Sequence, residues 1–284
     1  LDATVCSDTP SGITLATTGT SVAASYYNLL DIRVDAGLTP GAFNATIGNG
    51  RASGAIFNDQ FTNTTGGALT VEYDVVPVSA NGCEGDLVTV TLTVNPEPVV
   101  DPNLDATVCS DLPSGITLNT NGTSVAAASY NIVAIRRDFS LVAAGGNATT
   151  GNGQPANAIA GDVFTNTTAS AHYVEYDVVP VSADGCLGDM VTITLTVEPE
   201  PVLASNLNKA ICSDVVSGIV LNTNGVSVAA DSYHINDIRV DAGLIADAGN
   251  AVAGNNQAAN AIAGDLFTNT TGGALTVEYD VVPV

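Results

Sequence analysis

Cysteine is the residue type best placed to do chemistry in this chain, at Cys6, Cys83, Cys109, Cys186 and Cys212. Cys6, Cys109 and Cys212 stand 103 residues apart, and so do Cys83 and Cys186. Bridges are the leading use for such an array, and buried free thiols are the alternative. Zinc is disfavoured because no Cys-x-x-Cys pair or spaced histidine accompanies them. Catalysis finds no constellation. His172 corresponds to Leu69 and Leu275, and His234 to Asn131 and Asn28, so neither histidine belongs to a repeated set. The serines sit in turns, and no Gly-x-Ser-x-Gly, His-Glu-x-x-His or phosphate-loop pattern occurs. Gly48-Asn49-Gly50 and Gly151-Asn152-Gly153 read as loop glycines, and the chain reads as no enzyme.

Carboxylates are the other abundant reactive groups. Asp8, Asp35, Asp59, Glu72, Asp74 and Asp86 recur at equivalent positions, which duplication alone explains. Calcium needs six to eight clustered oxygens, and no Asp-x-Asp-x-Asp-Gly loop is present. A junctional set of Glu97, Asp101 and Asp105 is the one calcium candidate, yet the next junction offers Glu200, Ala204 and Asn208. Solvation is therefore the default role for these charges, Glu72 and Asp74 reading as the solvated face of a strand. No cofactor is expected beyond that calcium candidate. Asn-x-Ser/Thr glycan acceptors occur at Asn44, Asn63, Asn121, Asn147, Asn166 and Asn269, of which Asn63, Asn166 and Asn269 are equivalent.

The elements that must position these residues repeat with the same period. Phe61 to Thr65 returns as Phe164 to Thr168 and Phe267 to Thr271, and Thr62 to Val78 is identical to Thr268 to Val284. The copies fall at 1–103, 104–206 and 207–284, the third reading as truncated before its last strand. Within one copy, Leu87 to Val94 alternates Val or Leu with Thr, which is a half-buried strand. Val71, Tyr73 and Val75 alternate with Glu72 and Asp74, and Ser79-Ala80-Asn81-Gly82 supplies the turn that makes these two strands a hairpin. Ala3–Cys6, Gly12–Leu15, Tyr26–Val34 and Phe57–Thr65 read as further strands, with a loop over Ala36–Asn49. About seven short strands per copy predict an all-β chain of immunoglobulin-like antiparallel sandwiches set end to end. Helical signals are negligible.

Composition narrows the partners. Six Lys plus Arg against 29 Asp plus Glu give a net charge of −23, which repels nucleic acid and anionic membrane faces. No apolar run approaches the ~18 residues of a bilayer helix, so no membrane insertion is expected. The chain begins at Leu1 with no basic and apolar leader, so an export signal would lie outside it.

The motifs Cys-Ser-Asp, Phe-Thr-Asn-Thr-Thr, Val-Glu-Tyr-Asp-Val-Val-Pro-Val-Ser, Gly-Cys and Val-Thr-Val-Thr-Leu-Thr-Val-Asn-Pro-Glu-Pro resemble the PKD-like repeats of giant surface adhesins in Bacteroidota. The resemblance covers the whole chain, although the Trp-Asp-Phe-Gly-Asp-Gly signature of PKD domains proper is missing. It implies a stalk module of an extracellular, cell-surface fibre exported by the type IX system. Its partners would be neighbouring repeats of the same polypeptide and like chains in a fibre. Immunoglobulin-like topology places the first strand and the last hairpin at one end, so the expected bridges are Cys6 to Cys83 and Cys109 to Cys186, within copies. Asn95-Pro96-Glu97-Pro98 and Glu198-Pro199-Glu200-Pro201 should serve as stiff polyproline linkers. A carbohydrate-binding or other ligand module and a spacer of a secreted hydrolase are the competing readings; the lack of Trp weakens the first.

Overall fold

In the first unit, β-branched and aromatic residues alternating with Thr, Glu and Asp dictate pleated strands with one dry face. A computed structural model describes residues 1–284 and shows an all-β chain without helices. No helix is long and apolar enough to cross a membrane. The unit contains β1 (Ala3–Cys6), β2 (Ala24–Val34), β3 (Leu38–Pro40), β4 (Gly48–Arg51), β5 (Phe61–Asn63), β6 (Leu69–Ser79) and β7 (Val88–Asn95). Five strands form a sheet in the order β1-β7-β6-β2-β4, and β3 pairs with β5 opposite it. All pairs are antiparallel except β1 and β7, which run parallel from Ala3 beside Leu92 to Cys6 beside Asn95.

The core between these layers is made by the expected alternation: Val71, Tyr73 and Val75 of β6, and Val90, Leu92 and Val94 of β7. Tyr27, Leu29, Leu38, Ile56 and Phe61 complete it with Ile13 and Leu15. Val88 is half exposed at the hairpin end, so the dry face of β7 starts one pair later than the alternation suggests.

Three expectations change, the first being that the strand read over Phe57–Thr65 shrinks to β5. Gly12–Leu15 is extended but forms no ladder: the amides of Ser11, Gly12 and Leu15 donate to carbonyls of Asp59, Phe57 and Ser53 in a turn-rich segment. Gly12 lies at φ 65°, where a Cβ is disfavoured, and this breaks the strand geometry while Ile13 and Leu15 still point inward. The predicted loop over Ala36–Asn49 instead contains β3 and the start of β4.

A second unit repeats the arrangement, its five-stranded sheet including Ala106–Cys109, Ala127–Arg137, His172–Ser182 and Val191–Glu198. A third has a three-stranded sheet built on Tyr233–Val240 and Val277–Pro283 with a smaller core of Leu221, Tyr233, Ile235 and Ile262. Residues around Cys212 form no strand there. The physical reason is visible in the first unit, where β1 is held by β7 alone and needs that edge to pair with.

Candidate functional site: the joint between consecutive units

Because β1 runs parallel to β7, its last residue, Cys6, reaches the end of the sandwich where β7 stops and the linker begins. Cys83 lies in the β6–β7 turn, at the opposite end. The expected pairing of Cys6 with Cys83 and Cys109 with Cys186 is therefore corrected. Cys6 bonds to Cys186, in the last hairpin of the second unit, with Cα atoms 5.3 Å apart and 180 residues between them in sequence. Cys83, Cys109 and Cys212 are free and exposed. A bond between copies links adjoining ends, since the far end of one sandwich meets the hairpin end of the next.

Local sequence builds the socket around this bond. After Cys6 the chain turns sharply, with Asp8 at φ 58°; Asp111 and Asp214 repeat this at 63° and 59°. A short polar side chain tolerates the left-handed region better than most residues do. The Asp8 amide donates to the Phe61 carbonyl at 3.0 Å, its carboxylate accepts from Thr62 Oγ1, and buried Ser7 Oγ accepts from the Asn63 amide at 2.8 Å. Glu97, only 4% exposed, lies near Asp8 and Asp189. Burial, reinforced by the negative charges of Asp8 and Asp189, pushes its carboxyl up to about 7.

The Pro-x-Pro segment is more than a spacer. Pro96, Glu97 and Pro98 are buried, and Val100 joins the core of the second unit. Asp101 N donates to Asn119 O at 3.1 Å, Asn121 N to Val99 O at 2.9 Å, Val99 N to Ser124 Oγ at 3.0 Å and Val125 N to Thr65 O at 3.1 Å. Gly188 is required where the second hairpin meets the linker, because a Cβ there would run into the Pro98 carbonyl oxygen.

The calcium candidates are not brought together. The Asp101 carboxylate accepts from Asn103 N at 2.9 Å, and that of Asp105 accepts from Thr194 N at 2.8 Å, while Glu97 faces the socket. No group of three or more His, Cys, Asp or Glu side chains is arranged to hold a metal ion. Asn63 and Asn166 are also corrected as glycan acceptors. Both are fully buried, and each donates its amide protons to two carbonyls, Gly67 and Val94 or Ser170 and Val197. Asn269 is half-buried, with its amide on Gly273 O at 2.9 Å.

Two repeated devices escaped the sequence reading although the 103-residue offset carries them. Arg33 binds Asp31, Glu72 and Asp74; Arg136 binds Glu175 and Asp177; Arg239 binds Asp237, Glu278 and Asp280. Three of only six basic residues thus pair with carboxylates of the strand face read as merely solvated. Inside the core, Tyr73 donates to Asp59 at 2.9 Å while Ala45 N donates to the other carboxylate oxygen, and Tyr176 with Asp162 repeats the contact at 2.8 Å. Burial raises the Asp59 carboxyl against these two hydrogen bonds.

Sandwiches of one sequence pattern, locked tail to hairpin, define a tandem-repeat β protein. The sequence profile of the PKD-like domain matches residues 36–98 and 107–201, more than half of the chain, and the chain belongs to that family. A comparison with curated proteins gave no match. Among similar solved structures, human CDH23 EC21-23 aligns at 13% identity over 98% of this chain and 92% of its own, with a TM-score of 0.29. Drosophila N-cadherin EC1-4 aligns at 13% identity over 99% and 71%, with a TM-score of 0.24. The fibronectin(III)-like modules of Clostridium thermocellum CbhA align at 12% identity over 74% and 94%, with a TM-score of 0.19.

Proposed function

We propose that this segment is a structural stalk of a secreted, surface-attached bacterial adhesin or extracellular filament, transmitting distance and load and performing no reaction. The observation that carries this reading is the joint: a covalent bond, a buried linker and four hydrogen bonds fix one unit to the next. A binding module has little use for such rigidity between near-identical copies, whereas a spacer depends on it. The disulfide fits an oxidising location outside the cell. The net charge of −23 discourages lateral clumping of exposed strand edges. The resemblance to adhesin repeats of Bacteroidota points to a surface fibre exported by the type IX route, with neighbouring repeats and like chains as partners.

Deleting residues 104–206 in frame tests the reading. A strand of ten residues spans about 33 Å, so with its linker the loss of one unit should shorten the particle by roughly 40 Å in solution scattering. Surface display and any binding at the far tip should persist. Loss of a binding or enzymatic activity with folding and export intact would sink the stalk reading.

A further inference from the structure

The second joint reproduces the four hydrogen bonds of the first, yet carries no covalent bond. Ala204 N donates to Asn222 O at 3.0 Å, Asn224 N to Val202 O at 2.8 Å, Val202 N to Ser227 Oγ at 2.9 Å and Val228 N to Thr168 O at 3.1 Å. These are the four bonds of the first joint displaced by 103 residues. An isolated bridge between Leu203 and Thr223 likewise repeats that between Val100 and Thr120. Cys109 stands where Cys6 stands: at the end of a strand running parallel to the last strand, beside Glu198 as Cys6 is beside Asn95. It is followed by Ser110 and by Asp111 in the same left-handed turn, with Glu200 near Asp111 as Glu97 is near Asp8. The hairpin that covers the first joint, with Cys186 in it, belongs to the unit that follows Cys6.

We propose that the Cys6–Cys186 bond is one rung of a repeating clasp, in which the first-strand cysteine of each copy bonds the last-hairpin cysteine of the copy that follows. Cys109 is then the open strand half of the next rung, its occupant being a further Gly-Cys-x-Gly-Asp hairpin of this repeat. Cys83 is the open hairpin half of the preceding rung. The hairpin sequence supports the assignment: Gly82-Cys83-Glu84-Gly85-Asp86 matches Gly185-Cys186-Leu187-Gly188-Asp189 at the residues that make the first joint. Gly188 clears Pro98, and Asp189 lies near Glu97. At Gly85 the three nearest atoms to an added Cβ all belong to Pro77 of its own unit. This inference concerns how copies join and holds whether or not the array is a stalk.

Closing each rung removes two protons and two electrons from two thiols. A disulfide-bearing oxidant accepts them by exchange: one cysteine thiolate attacks the oxidant's S–S bond, forming a mixed disulfide and releasing the first oxidant thiolate. The second cysteine thiolate attacks the protein sulfur of that mixed disulfide, releasing the other oxidant thiolate, while the two protons pass to solvent or to these thiolates. Oxidised glutathione or a dithiol–disulfide oxidoreductase supplies that chemistry.

The test extends the chain after Val284 with the sequence of residues 79–103, which completes the third hairpin and last strand in register. After oxidation with glutathione, non-reducing peptide mapping should show Cys109 joined to the appended cysteine, with Cys6–Cys186 retained. Alkylation of Cys109 without reductant should fall at least tenfold relative to the parent chain, and Cys83 and Cys212 should stay reactive. A bond between Cys212 and the appended cysteine would overturn the clasp in favour of closure within a copy. So would full reactivity of both Cys109 and the appended cysteine in a folded chain. The parent 284-residue chain supplies a check that needs no extension, for a Cys6–Cys83 or Cys109–Cys186 bond in its map would also overturn the proposal. Failure here leaves particle length untouched, and failure of the stalk reading leaves the disulfide map untouched.

Discussion

The two joints are made by the same four hydrogen bonds, three between backbone groups and one to a serine hydroxyl, but they differ in what covers them. At the first, Pro96, Glu97 and Pro98 are buried under the second hairpin and the bridge crosses beside them. At the second, Pro199, Glu200 and Pro201 are half-buried and Cys109 is exposed. Linker and loop contacts therefore suffice to set one unit on the next, and the hairpin adds burial and a covalent lock to an existing geometry. The difference separates docking from locking, two functions that lie in different segments of each copy.

Breaking the lock should give the largest effect. Closing a loop of 180 residues stabilises by about 5 kcal/mol in the chain-entropy model. Reduction, or Cys186→Ser, should lower the melting transitions of the first two units by a corresponding amount in calorimetry. The transition of the third unit should not move. A reductant that shifted all three equally would contradict the contrast between joints.

Gly188→Ala should cost roughly 2–3 kcal/mol by forcing hairpin and linker apart, with Gly85→Ala below about 1 kcal/mol. Chemical denaturation of the two variants distinguishes them. Equal losses would mean that the Pro98 contact contributes nothing.

Glu97 sharpens the comparison through pH. Its folded value, raised to about 7, lies above the ordinary glutamate value of about 4.3. Stability from the protonated form is fully present below about 4.3 and is lost as pH rises through about 7. Glu97→Gln should flatten this dependence and gain about 1–2 kcal/mol at pH 8, discounted for partial solvent screening. Thermal melts from pH 4 to 8 check both sign and size.

The smallest effect belongs to the ion-paired strand face. Arg33 holds the Asp74 carboxyl down to about 2, first by direct hydrogen bonding. That contribution is present above about 3.9 and is lost as pH falls through about 2. Arg33→Gln should raise the acid-unfolding midpoint slightly, and Arg239→Gln should do the same in the third unit. Unequal responses of the disulfide map to these two variants would show that the strand face communicates with a joint.

Much of this was legible in the residues. The 103-residue period, the Val/Thr alternation of β7 and the Asn-Gly hairpin all follow from spacing, because side-chain period and turn chemistry are local. The cysteine partners were not. A period repeated three times offers each first-strand cysteine several equivalent hairpin cysteines, and only the parallel pairing of β1 with β7 selects the one in the following unit. Asn63 looked like a glycan acceptor because its sequon is local, whereas its two carbonyl partners include Val94, 31 residues away. Arg33 and the Tyr73–Asp59 contact were open to the same offset argument that exposed the cysteines. They lie outside any local motif because each joins residues far apart in sequence, Arg33 to Glu72 and Asp74 and Tyr73 to Asp59.

The bridge also sorts the chain by tension. When the protein is pulled from its two ends, force passes from Cys6 straight to Cys186, and the intervening chain lies off the line of pull. At about 3.4 Å per extended residue, those 180 residues hold back roughly 600 Å of contour length. The first sandwich could lose its fold without the molecule lengthening by that amount. The load falls on β1, between the pulled end and the bond, and on Val191–Glu198, the last strand of the second unit, just beyond it. Reduction would expose that length to the pull, turning the bridged part of the chain from an inextensible tether into a shock absorber.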